Sequence, residues 1–117
     1  MTRDMDLIRL LMQRFVQDKP DCPEGYDKLI VAYHVQLLVE AGLIEAQVIK
    51  APSPGKIKPV EWIFQRVTWD GHDFVSHVTE DTVWNRTKDH FRKQSVAWTI
   101  DLIMEFLKAR ARANLGL

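Results

Sequence analysis

Four histidines, one cysteine and the carboxylate cluster around residue 70 are the candidates in this sequence for ligating a metal or moving a proton. His34, His72, His77 and His90 lack the i, i+4 spacing with an adjoining glutamate that helical zinc sites use, and His72 and His77 stand five apart. No metal site is expected. Asp70-Gly71-His72-Asp73 has the composition of an acid–base cluster, but Asp70 and Asp73 fall at N-cap and N3 spacing, an acidic form of the capping box. Gly71 then serves the first-turn geometry, and His72 is expected to make a buried polar contact near Trp69. Cys22 is the lone cysteine, so an intrachain disulfide and a thiolate cluster within one chain are excluded. Without a glycine-rich phosphate loop, a nucleophile elbow or a Cys–His arrangement, the chain reads as a non-enzyme with no catalytic residue and no cofactor.

Charge offers a different chemistry. Lys50, Lys56, Lys58 and Arg66 surround the single acid Glu61, a local +3 suited to phosphates, and Lys28 and Gln36 lie on the segment before them. Gln36 can pair with adenine, so these six residues are the candidate contacts to double-stranded DNA. Arg86, Lys88, Arg92 and Lys93 against Asp89 reach the same +3, and Lys108, Arg110 and Arg112 form a third cluster. The whole chain balances 16 basic against 16 acidic residues, which removes a global electrostatic pull toward nucleic acid or anionic membrane. Each cluster reads equally as an ordinary solvated face. Trp69 and Trp84 are expected to pack in the core rather than to stack on bases.

The elements that must hold these residues fit one compact unit: 117 residues, 46% hydrophobic and 27% charged, too short for a two-domain enzyme and too apolar for disorder. No apolar run reaches the roughly 18 residues of a membrane span, and no signal-peptide pattern follows Met1, so a cytoplasmic location is expected. From Asp4 to Phe15, Met5, Ile8, Leu11, Met12 and Phe15 recur at helical spacing, widened by Leu7, with Thr2 or Asp4 as cap. Pro20 to Gly25 is a loop. A second helix runs from an N-cap at Asp27 to Ala41, with Ile30, Tyr33, Leu37, Leu38 and Ala41 toward the core and Gly42 as left-handed C-cap. Ala32, Gln36 and Glu40 then face outward. Glu45 to Lys50 and Val60 to Thr68 pair as a hairpin around a long turn, Ala51 to Pro59. Short helices follow from Asp70 to Val78 and from Thr82 to Lys93, and a final helix from Ser95 to Ala113.

This order predicts an α+β fold: a winged helix-turn-helix-like domain with a two-stranded wing and additional C-terminal helices, residues 1–93 forming the domain and 94–117 an associated helix. In such domains the helix before the wing often enters a major groove. Two readings of that helix stand: a groove reader through Lys28 and Gln36, or a core helix, because Val31, Val35 and Val39 widen its apolar arc beyond a half-exposed helix. The usual middle helix has no room between the first two. It is missing, reduced to a turn around Glu24 to Asp27, or fused to the next helix.

Four segments carry a longer resemblance: Arg3-Asp4-Met5-Asp6-Leu7-Ile8-Arg9, Tyr33-His34 with Leu38 and Ala41-Gly42-Leu43-Ile44, Val67-Thr68-Trp69-Asp70-Gly71-His72-Asp73-Phe74, and Asp81-Thr82-Val83-Trp84. With these the chain resembles the domain-of-unknown-function family DUF2513 of short bacterial, phage and prophage proteins, over most of residues 3–93. Related sequences more often carry Leu and Glu where this one has Val67 and Asp70. The resemblance implies a winged-helix-like fold and a mobile-element setting. It implies no activity or ligand.

In the last helix Val96, Ile100, Ile103, Met104, Leu107 and Ala111 form one stripe, and Trp98, Leu102, Phe106, Ala109 and Ala113 another. The second stripe needs cover, from the same chain or from a symmetry mate, and Trp98, Leu102 and Phe106 are the candidate contacts of a homodimer. The functional expectation is a small phage- or prophage-type transcriptional regulator binding DNA as a dimer. The alternative is a non-catalytic protein-interaction module on the same scaffold, holding a protein partner at Val35/Val39 or Trp98/Phe106.

Overall fold

The computed structural model describes residues 3–93 and 98–114 of the chain. Among them lie five helices and one two-stranded antiparallel hairpin, a mixed α+β fold. The chain divides into two compact units, Met1–Val75 and Ser76–Leu117. No helix among the described residues is long and apolar enough to cross a membrane.

In the first unit α1 spans Met5–Val16 and buries Leu7, Ile8, Leu11, Met12 and Phe15, the stripe read from the sequence, with Met5 only partly covered. Each such side chain contributes about 1.5–3 kcal/mol when taken out of water. Asp4 is the cap: its carboxylate accepts from the N–H groups of Asp6 at 2.9 Å and Leu7 at 3.2 Å. Thr2, the alternative cap, lies outside the described residues. The helix ends at a left-handed Asp18, φ 59°, and residues 18–27 form turns and loop.

α2, Lys28–Glu40, opens on Asp27 as expected, and Gly42 closes it at φ 76°. Of its predicted buried face only Leu38 is fully covered. Val31, Ala32, His34, Val35 and Leu38 are buried, whereas Ile30 is exposed and Tyr33, Leu37 and Ala41 are only partly covered. Nine of its thirteen residues are apolar, counting Tyr33, so periodicity offers little to choose between faces. His34 decides it. Its Nε2 accepts the Asp4 N–H at 2.8 Å and its Nδ1 lies 2.7 Å from the Ile30 carbonyl, to which it donates. Both nitrogens are satisfied, so a polar ring can sit in the core and lock the start of α1 onto α2.

β1, Ile44–Ser53, and β2, Lys56–Val67, pair from Ile44↔Val67 to Ser53↔Lys56. The expected long turn from Ala51 to Pro59 is instead two residues, Pro54-Gly55, with Gly55 at φ 75°. Proline at i+1 and a positive-φ glycine at i+2 suit a tight turn. Pro52 and Pro59 lie within the strands, which a two-stranded sheet allows because each strand has an open edge. Bulges fall between Glu45 and Ala46 and between Ile49 and Lys50. Ile44, Trp62 and Val67 are buried, Trp62 Nε1–H donates to the Pro20 carbonyl at 2.7 Å, and Phe64 stacks on Phe15 with ring centroids 4.6 Å apart.

α3, Trp69–Val78, is capped two residues earlier than the carboxylate pattern suggested. Thr68, not Asp70, is the cap: its Oγ1 accepts the Gly71 N–H at 3.1 Å and donates to the Gly42 carbonyl at 2.6 Å. Gly71 is buried because the helix start presses on the end of α2 and the base of the hairpin. A Cβ there would stand 2.1 Å from the Leu43 carbonyl oxygen.

In the second unit α4, Asp81–Lys93, buries Trp84, Thr87 and Phe91, and Thr87 Oγ1–H donates to the Val83 carbonyl at 2.8 Å. α5 spans Ile100–Asn114 and packs on α4, burying Ile100, Ile103, Met104 and Leu107. Thr99 caps it, its Oγ1 accepting the Leu102 N–H at 3.1 Å, and Trp98 and Thr99 are not helical. The helix therefore does not run on from Ser95. Ser95 itself and Val96 lie outside the described residues.

Candidate functional site

Because α2 buries the side bearing Val31, His34, Val35 and Leu38, the stripe Leu29, Tyr33 and Gln36 turns outward at helical spacing. The tight Pro54-Gly55 turn brings the start of β2 against that stripe. Between them opens a cleft of about 300 Å³ lined by Leu29, Tyr33, Gln36, Lys56, Ile57, Lys58 and Pro59. Its floor and one wall are apolar: Leu29 is 44% exposed and Ile57 69% exposed. Two large apolar side chains thus stand open beside two lysines.

Electrostatics sharpen the picture. From residue 46 to residue 60 the hairpin carries Lys50, Lys56 and Lys58 and no acid. None of the three lysines makes an ion pair among the described residues. Lower on the hairpin the charges are neutralised. Lys28 Nζ lies 2.5 Å from Glu61 Oε2, and this ammonium holds the Glu61 carboxyl below its ordinary value. Arg66 forms a two-pronged pair with Glu45, at 2.9 and 2.7 Å, which lowers the Glu45 carboxyl and raises the guanidinium.

Of the six residues read as DNA contacts, Gln36, Lys56 and Lys58 therefore meet in one cleft, and Lys50 sits opposite Pro59 at its edge. Lys28 and Arg66 are bound to carboxylates instead. The sequence tally of one acid missed Glu45, which strand pairing sets opposite Arg66. With it the hairpin holds four cations and two acids, +2 rather than +3. Leu29, Tyr33, Ile57 and Pro59 were not singled out as contacts. Only the strand register, set by the two-residue turn, brings them together.

The remaining candidates are placed as follows. Trp69 is not core: as the first residue of α3 it is 88% exposed, while Trp84 is buried. His72 is exposed rather than held in a buried contact, and Asp70 is also exposed. Trp98 is partly covered and Leu102 is 37% exposed. Phe106 stacks on His90 with centroids 4.4 Å apart, meets Phe91 edge-on at 6.0 Å, and carries the Arg110 guanidinium 5.7 Å from its ring centre. Its ring is thus engaged within the chain. Cys22 Sγ lies 3.6 Å from the Pro23 and Tyr26 carbonyls.

Comparison with known proteins places the chain. The sequence profile of the family described as hypothetical protein (DUF2513) matches residues 2–97. A Haemophilus influenzae protein described as uncharacterised is 31% identical over 112 residues, covering 90% of this chain and 91% of that one. No solved structure matches.

Proposed function

This chain belongs to the DUF2513 family, and we propose that it is a non-catalytic protein-binding module on a winged-helix-like scaffold, with the cleft between α2 and the hairpin tip as its binding site. The observation that carries this reading is the character of the outward face of α2. A helix entering a major groove needs several hydrogen-bonding side chains toward base edges and cations toward phosphates. Here that face holds Leu29, Ile30, Tyr33 and Leu37 with one amide, Gln36, and its lysine is tied to Glu61. An apolar floor with two lysines at the rim suits a protein segment that inserts an apolar side chain and presents a carboxylate.

A second reading rests on the acid-free stretch of the hairpin, whose three lysines could track a phosphate backbone as a wing does. Titration of a mixed-sequence DNA duplex at two salt concentrations separates the two. Phosphate gripping by Lys50, Lys56 and Lys58 gives a log–log salt slope of about −3, reduced by the Lys56→Ala/Lys58→Ala pair. The expected result is no duplex complex even at low salt. A complex with that slope would move the assignment to nucleic acid.

A further inference from the structure

We infer that the cleft receives Trp69 of a second copy of this chain, which makes the protein a reciprocal homodimer; the inference rests on the proposed reading of the cleft as a protein-binding site. Two observations meet here. Trp69 is 88% exposed at the start of α3, the largest side chain of the first unit left in water, with the carboxylate of Asp70 exposed beside it. The cleft, of about 300 Å³, has room for one large aromatic side chain between Leu29, Tyr33 and Ile57, and Lys56 and Lys58 stand at its rim without ion-pair partners among the described residues. The knob is apolar and acidic. The hole is apolar and basic.

A chain cannot fill its own cleft. Trp69 follows the base of β2, whereas Lys56, Ile57 and Lys58 lie at the tip, and the intervening strand residues at 3.3 Å each separate them by roughly 30 Å. Two copies with their hairpins side by side and antiparallel place tip beside base twice. Both Trp69 side chains then meet clefts at once, and the contact closes as a two-fold dimer instead of continuing as a chain. Tryptophans seated in apolar pockets with charges at the rim are the usual anchors of such interfaces.

Sedimentation equilibrium over a wide concentration range tests this with the wild type, Trp69→Ala, Ile57→Asp, Asp70→Lys, and Asp70→Lys combined with Lys56→Asp/Lys58→Asp. All replaced side chains are exposed or at the cleft rim, and circular dichroism checks that each variant is folded. The wild type is expected to be dimeric, Trp69→Ala and Ile57→Asp to weaken the dimer about 30-fold or more, and the charge reversal to restore what Asp70→Lys loses. A monomeric wild type overturns the inference. A dimer broken by Ile57→Asp but untouched by Trp69→Ala overturns it too, while leaving the cleft as a protein site that takes another part of the second copy. A dimer indifferent to both variants also overturns the inference, because its contact then lies elsewhere, and it leaves the cleft open to a different protein.

Discussion

Single residues set the tolerances of this molecule, and two of them show how. Gly71 is required by closeness, not by φ: a methyl group there would overlap the Leu43 carbonyl, with Val67 Cγ1 at 2.7 Å and Met12 Cε at 3.0 Å. Backbone cannot yield as a flexible side chain does, so Gly71→Ala should cost about 3 kcal/mol or more, read as a lowered midpoint in urea unfolding. His34 is the converse case, a polar group the core needs. His34→Phe keeps an aromatic ring, slightly larger, but leaves the Asp4 N–H without its acceptor, and should cost about 1–3 kcal/mol by the same measurement, with backbone amide exchange at the start of α1 accelerating first. The Tyr33-His34 and Gly71 positions both stood out in the sequence. Their reasons did not, since the contact partners of both lie across turns that no local pattern reveals.

At the scale of elements, two exposed ion pairs, Lys28–Glu61 and Arg66–Glu45, bridge the hairpin to α2 and its two strands to each other. Both carboxyls titrate below their ordinary 4.5 because a cation donates to each. A lowered folded-state value means stability present above pH 4.5 and lost as pH falls through the folded values. Screening by water keeps the effect small. Carboxyl carbon shifts should therefore follow Glu45 and Glu61 titrating below 4.5 in the wild type, and Lys28→Ala should return Glu61, but not Glu45, toward that value. Most helix positions were legible in the sequence because amphipathic stripes, Asp27 and Gly42 leave strong local signals. The orientation of α2 was not legible, because a helix apolar on nearly every side carries no stripe. The hairpin turn was misread for a different reason: Pro52, Pro54 and Pro59 together with Gly55 look like loop punctuation, and only the open edge that each strand of a two-stranded sheet keeps can take Pro52 and Pro59.

For the whole molecule, the distribution of charge and apolar surface matters more than either total. The neutral chain carries lysines at the hairpin tip and an exposed tryptophan at the hairpin base. Half of the expected DNA contacts gather in the cleft, and they do so in apolar company that a groove-reading helix does not need. Protein binding in this cleft is open to a direct test. A photoactivatable phenylalanine derivative in place of Ile57, irradiated in the producing cell, reports its occupant directly. The expected product is an adduct that protease destroys and nuclease leaves intact, and that is lost when Leu29→Lys blocks the cleft. A nuclease-sensitive adduct, or no adduct at all, would contradict protein binding there.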